Sequence, residues 1–306
     1  MSHEDVTVDG PKSTSHGRRL VAVGDVELCA EPFGNPGDPT LLLISGSSSP
    51  MDAYHPLFCE QLVAGGRHVI RYDNRDTGES TSYPAGRPGY GFDDIVADAI
   101  GLLDALEVGD VHVAGGSMGG AVARALALGQ PERVRSLTLI SSTPLAPGDP
   151  RDPTLPGPTE KFRAFAGAER PEPDWTDRDA YVDNYALWDR QYAGTRYFDD
   201  SESRAYAGHV FDRTRDIHAA SLNHGLAERG STAIRSRHAE IDCPVLVIHG
   251  TADPVLPFRH AEVLVEELPN AELLALPGVG HQLLPREFWP TVVSAILTVT
   301  GGPRGA

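Results

Sequence analysis

A mostly parallel β-sheet flanked by helices is the architecture that this sequence predicts, and three observations predict it. Short apolar runs rich in β-branched residues alternate with longer amphipathic stretches, the pattern of strands buried on both faces and joined by helical crossovers. One of these runs, Val111-His112-Val113-Ala114, passes through Gly115-Gly116-Ser117-Met118-Gly119 straight into the helix-like Ala121-Val122-Ala123-Arg124-Ala125-Leu126. The chain is also large enough, at 306 residues and 40% hydrophobic, to bury one big α/β core with room for an insertion.

Taken in order, residues 26–32 read as an early edge strand and 40–45, Thr-Leu-Leu-Leu-Ile-Ser, as a fully buried one. Further strands are expected at 68–72, 111–115, 134–140, 244–249 and 272–276. Helices fit between them at 54–64, 92–106, 118–128, 261–268 and 287–298. In the second of these, Ile95, Ala99, Leu102, Leu103 and Leu106 repeat with the spacing of a single buried face.

The alternation stops near Pro144 and resumes near Cys243. A Pro/Gly/Asp-rich linker over 144–158 opens the gap, where helix or central strand is all but forbidden. Mostly helical polar sequence follows, and it carries 11 of the chain's 21 aromatic residues. An insertion that concentrates rings after a central strand reads as a cap. The expected division is therefore a tail over 1–17, a core over 18–143 and 240–300, and a helical cap over 144–239. Tyr181, Tyr185, Trp188 and Tyr192 fall at i, i+4, i+7 and i+11 and share one helix face. That row packs the cap onto the core or, with Trp175, walls a pocket for a large apolar substrate; both readings remain open.

The strand–Gly-x-Ser-x-Gly–helix turn has the form of a nucleophile elbow, which lifts a serine hydroxyl out of the regular backbone beside a helix N-terminus. A chance match or an ordinary turn is the bland alternative. A phosphate loop fits poorly, because Ala121-Val122 stand where Lys-Ser/Thr would follow the last glycine. A serine nucleophile also needs a histidine base and a carboxylate to orient it. The strand at 244–249 ends in Gly250-Thr251-Ala252-Asp253-Pro254, and the strand at 272–276 ends in Pro277-Gly278-Val279-Gly280-His281. Asp253 and His281 thus follow Ser117 in the required order, each at the carboxyl edge where open α/β sheets place their sites. His249 and His112 compete weakly and read as packed or hydrogen-bonded. The oxyanion donors expected are the backbone N–H groups of Met118, which follows the nucleophile, and Ser47, in the loop Ser45-Gly46-Ser47-Ser48-Ser49-Pro50.

Composition narrows the partners. A net charge of -17 opposes binding to nucleic acid or an anionic membrane surface; the ring-rich insert points instead to a small-molecule substrate, apolar or aromatic in character. No histidine, cysteine or carboxylate set has metal-like spacing, so a cofactor-independent enzyme is expected. Cys29, Cys59 and Cys243 are an odd count without a Cys-x-x-Cys and read as buried thiols of a reducing compartment. With no secretory pattern over 1–17 and no bilayer-length apolar run, a cytoplasmic location is expected. The oligomeric state is left open.

With the elbow, Gly-Thr-Ala-Asp-Pro and Gly-Val-Gly-His all in order, the chain resembles the α/β-hydrolase superfamily over about residues 20–300. Arg71-Tyr72-Asp73-Asn74-Arg75-Asp76-Thr77-Gly78 also matches a loop of that family, where its role is architectural. The stretch from His68 to Gly78, followed by Gly91-Phe92 and an acidic-apolar helix, is similar to methyl esterases that tailor aromatic polyketides of the anthracycline type. The resemblance implies a serine hydrolase with a Ser-His-Asp triad acting on a carboxylic ester, the methyl ester of a bulky aromatic metabolite. Related scaffolds also host C–C bond hydrolysis and non-hydrolytic rearrangement, and a non-catalytic ligand-binding protein is a further alternative. Ser45-Gly46 stands where many relatives have His-Gly. With Met118 after the nucleophile, that loop argues against a proline iminopeptidase, and Ser117 excludes an aspartate nucleophile.

Overall fold

The structure, a computed structural model, describes residues 16–230 and 233–301, so most of the expected tail lies outside the described residues. The chain opens with β1 (Arg19–Val23) and β2 (Val26–Phe33), an antiparallel hairpin closed by Gly24-Asp25, with Gly24 at φ +58°. That positive φ suits glycine and a two-residue hairpin turn. The sequence reading made the second of these strands the sheet edge. It is an interior strand, because β1 covers it.

Six parallel strands follow: β3 (Thr40–Ile44), β4 (His68–Tyr72), β5 (Val111–Gly116), β6 (Val134–Ile140), β7 (Val245–Gly250) and β8 (Ala271–Leu276). Among the described residues they form one eight-stranded sheet in the order β1-β2-β4-β3-β5-β6-β7-β8, with β2 antiparallel to β4 and every later pairing parallel. Every residue of β3 and of β4 is buried, as expected of strands covered on both faces, with the buried Arg71 of β4 paired to Glu31. Successive side chains part to opposite sides. Leu42 and Ile44 join the core made with α2 (Phe92–Ala105), α3 (Met118–Gly129) and α8 (Arg259–Glu267). Leu41 and Leu43 join the one made with α1 (Pro56–Ala64) and α9 (Trp289–Thr300), through Phe58, Leu62, Trp289, Val292 and Ile296.

Between β6 and β7 lies a helical insert of α4 (Glu160–Ala166), α5 (Arg178–Tyr192), α6 (Asp200–Arg213) and α7 (Ile217–Leu226). Each of the four starts where a side chain takes the free amides of a first turn: Thr159, Asp177, Asp199 and Asp216 all accept from backbone N–H groups. The insert has a small core of its own, Tyr181, Val182, Ala207, Val210 and Ile217. It is fastened to the sheet through the Arg71–Gly78 loop. Asp73 accepts from both terminal nitrogens of Arg213, and Asp76 accepts from Asn223 Nδ2 at 2.9 Å and from the Tyr90 hydroxyl at 2.7 Å. No helix among the described residues is long and apolar enough to cross a membrane.

Candidate active site

Ser117 joins β5 to α3 at φ +49°, ψ −114°, a conformation that costs a non-glycine residue of order 1–3 kcal/mol. Two glycines permit the turn. A Cβ on Gly115 would collide with the Gly119 carbonyl, and one on Gly119 with the carbonyls of Ile44 and Ser45, so helix and strand meet at backbone contact. The Ser117 amide donates to the Ile140 carbonyl of the neighbouring strand at 2.8 Å, and Ser142 Oγ donates to the Ser117 carbonyl at 3.0 Å.

His281 reaches this serine from the loop after β8. Its Nε2 lies 3.2 Å from Ser117 Oγ, and its Nδ1 lies 2.7 Å from Asp253 Oδ2. Asp253, after β7, is 4% exposed, and its other oxygen accepts from the amides of Val255 and Leu256 at 2.9 and 2.8 Å. Burial works against the charge on that carboxylate, but His281 and these amides outweigh it and hold the group below the usual range. The aspartate is therefore ionised and the imidazole Nδ1 carries the proton between them. The buried His249 also approaches Asp253, at 3.4 Å, and its Nε2 donates to the Leu256 carbonyl at 2.8 Å; burial lowers its titration and outweighs these two contacts, which favour the charged ring. His112 bonds Ser136 Oγ inside the sheet, at 2.8 Å.

Met118 opens α3, so its N–H is one of the first-turn amides that no intrahelical carbonyl can take. Ser47 sits in the tight turn 45–50, where Ser48 has φ +59°, Ser45 Oγ donates to the Pro50 carbonyl, and Gly46 passes so near that its added Cβ would lie 3.3 Å from Ser117 Cβ. His224 of α7 pins this turn. Its Nδ1 accepts from Ser48 N–H and its Nε2 donates to the Arg75 carbonyl, both at 2.8 Å. Nothing in the sequence marked His224 for this place.

The aromatic row divides. Tyr185 packs against Tyr181 and Tyr206, and Trp175 stacks on His218 with ring centroids 4.9 Å apart. Trp188 meets Phe162 and Phe165 edge-on, and Tyr192 alone of the four makes a ring contact with His281, with 6.2 Å between the centroids. A cavity of about 360 Å³ borders the elbow, lined on its apolar side by Phe92, Ile95, Met118, Leu145 and Ala146. Its walls come from α2, the elbow, the linker after β6 and the stretch 224–229 at and beyond the end of α7, and not from the ring-rich helices α4, α5 and α6.

Comparison with known proteins agrees with this architecture. Residues 39–286 match the family described as alpha/beta hydrolase fold. The chain is 32% identical over 282 residues to rhodomycin D methylesterase DauP of Streptomyces sp. (strain C5), covering 87% of this chain and 92% of that protein. It is 30% identical over 275 residues to a 2-hydroxy-6-oxononadienedioate/2-hydroxy-6-oxononatrienedioate hydrolase of Paraburkholderia xenovorans (strain LB400), covering 84% and 85% of the two chains. An esterase from Exiguobacterium antarcticum superposes with a TM-score of 0.70 at 21% identity, over 90% of this chain and 98% of that one. Elbow, sheet order and relatives together place the chain in the α/β-hydrolase family, as an esterase-type hydrolase similar to anthracycline methylesterases.

Proposed function

We propose that the protein hydrolyses the methyl ester of a bulky aromatic acid through Ser117, His281 and Asp253. The carrying observation is the unbroken line from Ser117 Oγ to His281 Nε2 at 3.2 Å and from His281 Nδ1 to Asp253 at 2.7 Å. His281 takes the serine proton as Oγ attacks the ester carbonyl, and the Met118 and Ser47 amides receive the developing oxyanion. The imidazolium, steadied by Asp253, returns the proton to the departing alkoxide, which leaves as methanol. Water then attacks the acyl-enzyme with His281 again as base, and the free acid departs. The insert, residues 144–239, acts as a cap over this edge of the sheet. The cavity beside Met118, with its apolar side of Phe92, Ile95, Leu145 and Ala146, takes part of the acyl group, in keeping with the methyl-ester chemistry named for the relatives.

The test is methanol release from a panel of aromatic methyl esters, run beside covalent labelling by a phosphonate ester. Wild type is expected to release methanol and acid in equal amounts and to carry the label on Ser117. Ser117→Ala is expected to lose at least about 10⁴-fold in kcat and all labelling. Equal turnover by wild type and Ser117→Ala, or a label elsewhere, would overturn the assignment.

A further inference from the structure

The residue after the proposed base, Gln282, bonds both partners of a contact between the insert and the histidine loop. Its Oε1 accepts from Gly280 N–H at 2.9 Å and from Gly194 N–H at 2.8 Å, and its Nε2 donates to the Tyr197 carbonyl at 3.2 Å. Two main-chain bonds run alongside: His281 N–H donates to the Tyr192 carbonyl at 2.7 Å, and Thr195 N–H to the Gly278 carbonyl at 3.1 Å. The approach is too close for side chains. A Cβ on Gly194 would collide with the Gly278 carbonyl, and one on Gly280 with the Tyr192 carbonyl.

Past Leu276 the chain has left the sheet, and the next α-helix begins only at Trp289. The imidazole of His281 is held by Asp253, whereas its backbone is held by the segment that ends α5. Proton transfer over 3.2 Å tolerates little error, since a misplacement of about 1 Å can cost roughly 10²-fold.

We propose that Gln282 is a positioning residue that makes productive placement of His281 depend on docking of the 192–197 segment. The proposal rests on the Ser117–His281–Asp253 reading above. With the insert undocked, the base loses its backbone anchor. The geometry of the nucleophile pair and the closing of the site are thereby one event.

Gln282→Met keeps the length of the side chain and removes all three bonds, while Gln282→Glu keeps the acceptor for Gly194 and Gly280 and loses the donor to Tyr197. Gln282→Met is expected to lower kcat at least tenfold with KM little changed, and to slow phosphonate labelling of Ser117 by a similar factor. Gln282→Glu is expected to recover part of both. Gly194→Ala, which breaks the contact from the insert side, is expected to show the same loss in kcat, and it carries the comparison with Gln282→Glu should Gln282→Met not fold. Folded variants with wild-type kcat and labelling rate, or a loss confined to KM, would overturn the positioning role while leaving the triad intact. A wild-type protein that does not label at Ser117 would remove both readings together.

Discussion

Arg213, the last residue of α6, donates from Nη1 and Nη2 to the two carboxylate oxygens of Asp73, each at 2.7 Å, with the Asp73 side chain fully buried. The same guanidinium donates from Nε to Asp52 at 2.6 Å. One cation of the insert therefore neutralises two buried acids of the core. Arg213→Met should cost about 3–5 kcal/mol in urea unfolding, because it leaves uncompensated buried charge. Adding Asp52→Asn and Asp73→Asn should recover part of that loss, which a merely geometric role for the arginine would not allow.

Ser117 combines the proposed nucleophile with a strained backbone, and the two can be separated. Ser117→Ala removes the hydroxyl and keeps a side chain at φ +49°. Ser117→Gly removes the hydroxyl and relieves the strain, against a smaller entropic cost of about 0.5–1 kcal/mol. Both variants should be inactive, with the glycine variant melting at the higher temperature. A lower midpoint for Ser117→Gly would mean that the elbow is not strained.

The cavity beside Met118 predicts a dependence on acyl size. Ala146→Leu projects three further carbons from a buried wall position into the cavity. It should reduce kcat/KM for bulky aromatic methyl esters by tenfold or more and leave small activated esters within about twofold. Equal losses on both classes would point to a disturbed elbow rather than a filled subsite.

Acid stability follows from the histidines. Burial lowers the titration of His112 and His238 to about 4, and it lowers that of His224, whose Nδ1 accepts from Ser48. Their folded values lie below the unfolded value of about 6.5, so the unfolded state binds more protons between the two. Their contribution to stability is complete above about pH 6.5 and is lost as pH falls toward 4. Thermal midpoints measured from pH 7.5 to 4.5 should decline steadily. His112→Gln should flatten that decline; an unchanged slope would remove this histidine from the account.

Much of this molecule is legible in its sequence where backbone and chemistry coincide. Strands with apolar runs, such as Thr40–Ile44 and Val245–Gly250, have one way to be buried, and Asp253 and His281, which meet at 2.7 Å, can each be placed by following a strand end. The hairpin strand Arg19–Val23 escaped, although Gly24-Asp25 between two apolar runs is a hairpin signal. The aromatic row misleads for a geometric reason. Its helix of 15 residues is about 22 Å long and crosses two neighbours, so Tyr181 and Tyr185 meet Phe211 and Tyr206 while Trp188 and Tyr192 meet Phe162. Gln282 and His224 stay silent because the partners that tie them to other segments, Gly194 and Tyr197 for one and Ser48 and Arg75 for the other, are backbone groups far away in sequence, which no spacing rule can reveal.

The parallel pairing of β6 with β7 bears on how such proteins diversify. A chain that leaves Ile140 at one edge of the sheet must regain the opposite edge before Val245, so the helices between them are an enlarged crossover with a compulsory return leg. Ile234 and Ile241 pack into the core, Arg235 pairs with Glu267, and His238 meets Arg124 at 2.6 Å. An insert exchanged between relatives would best be cut near residues 143 and 233, leaving that return leg with its host. Selectivity can then change by transplant while the hydrolytic apparatus stays where it was built.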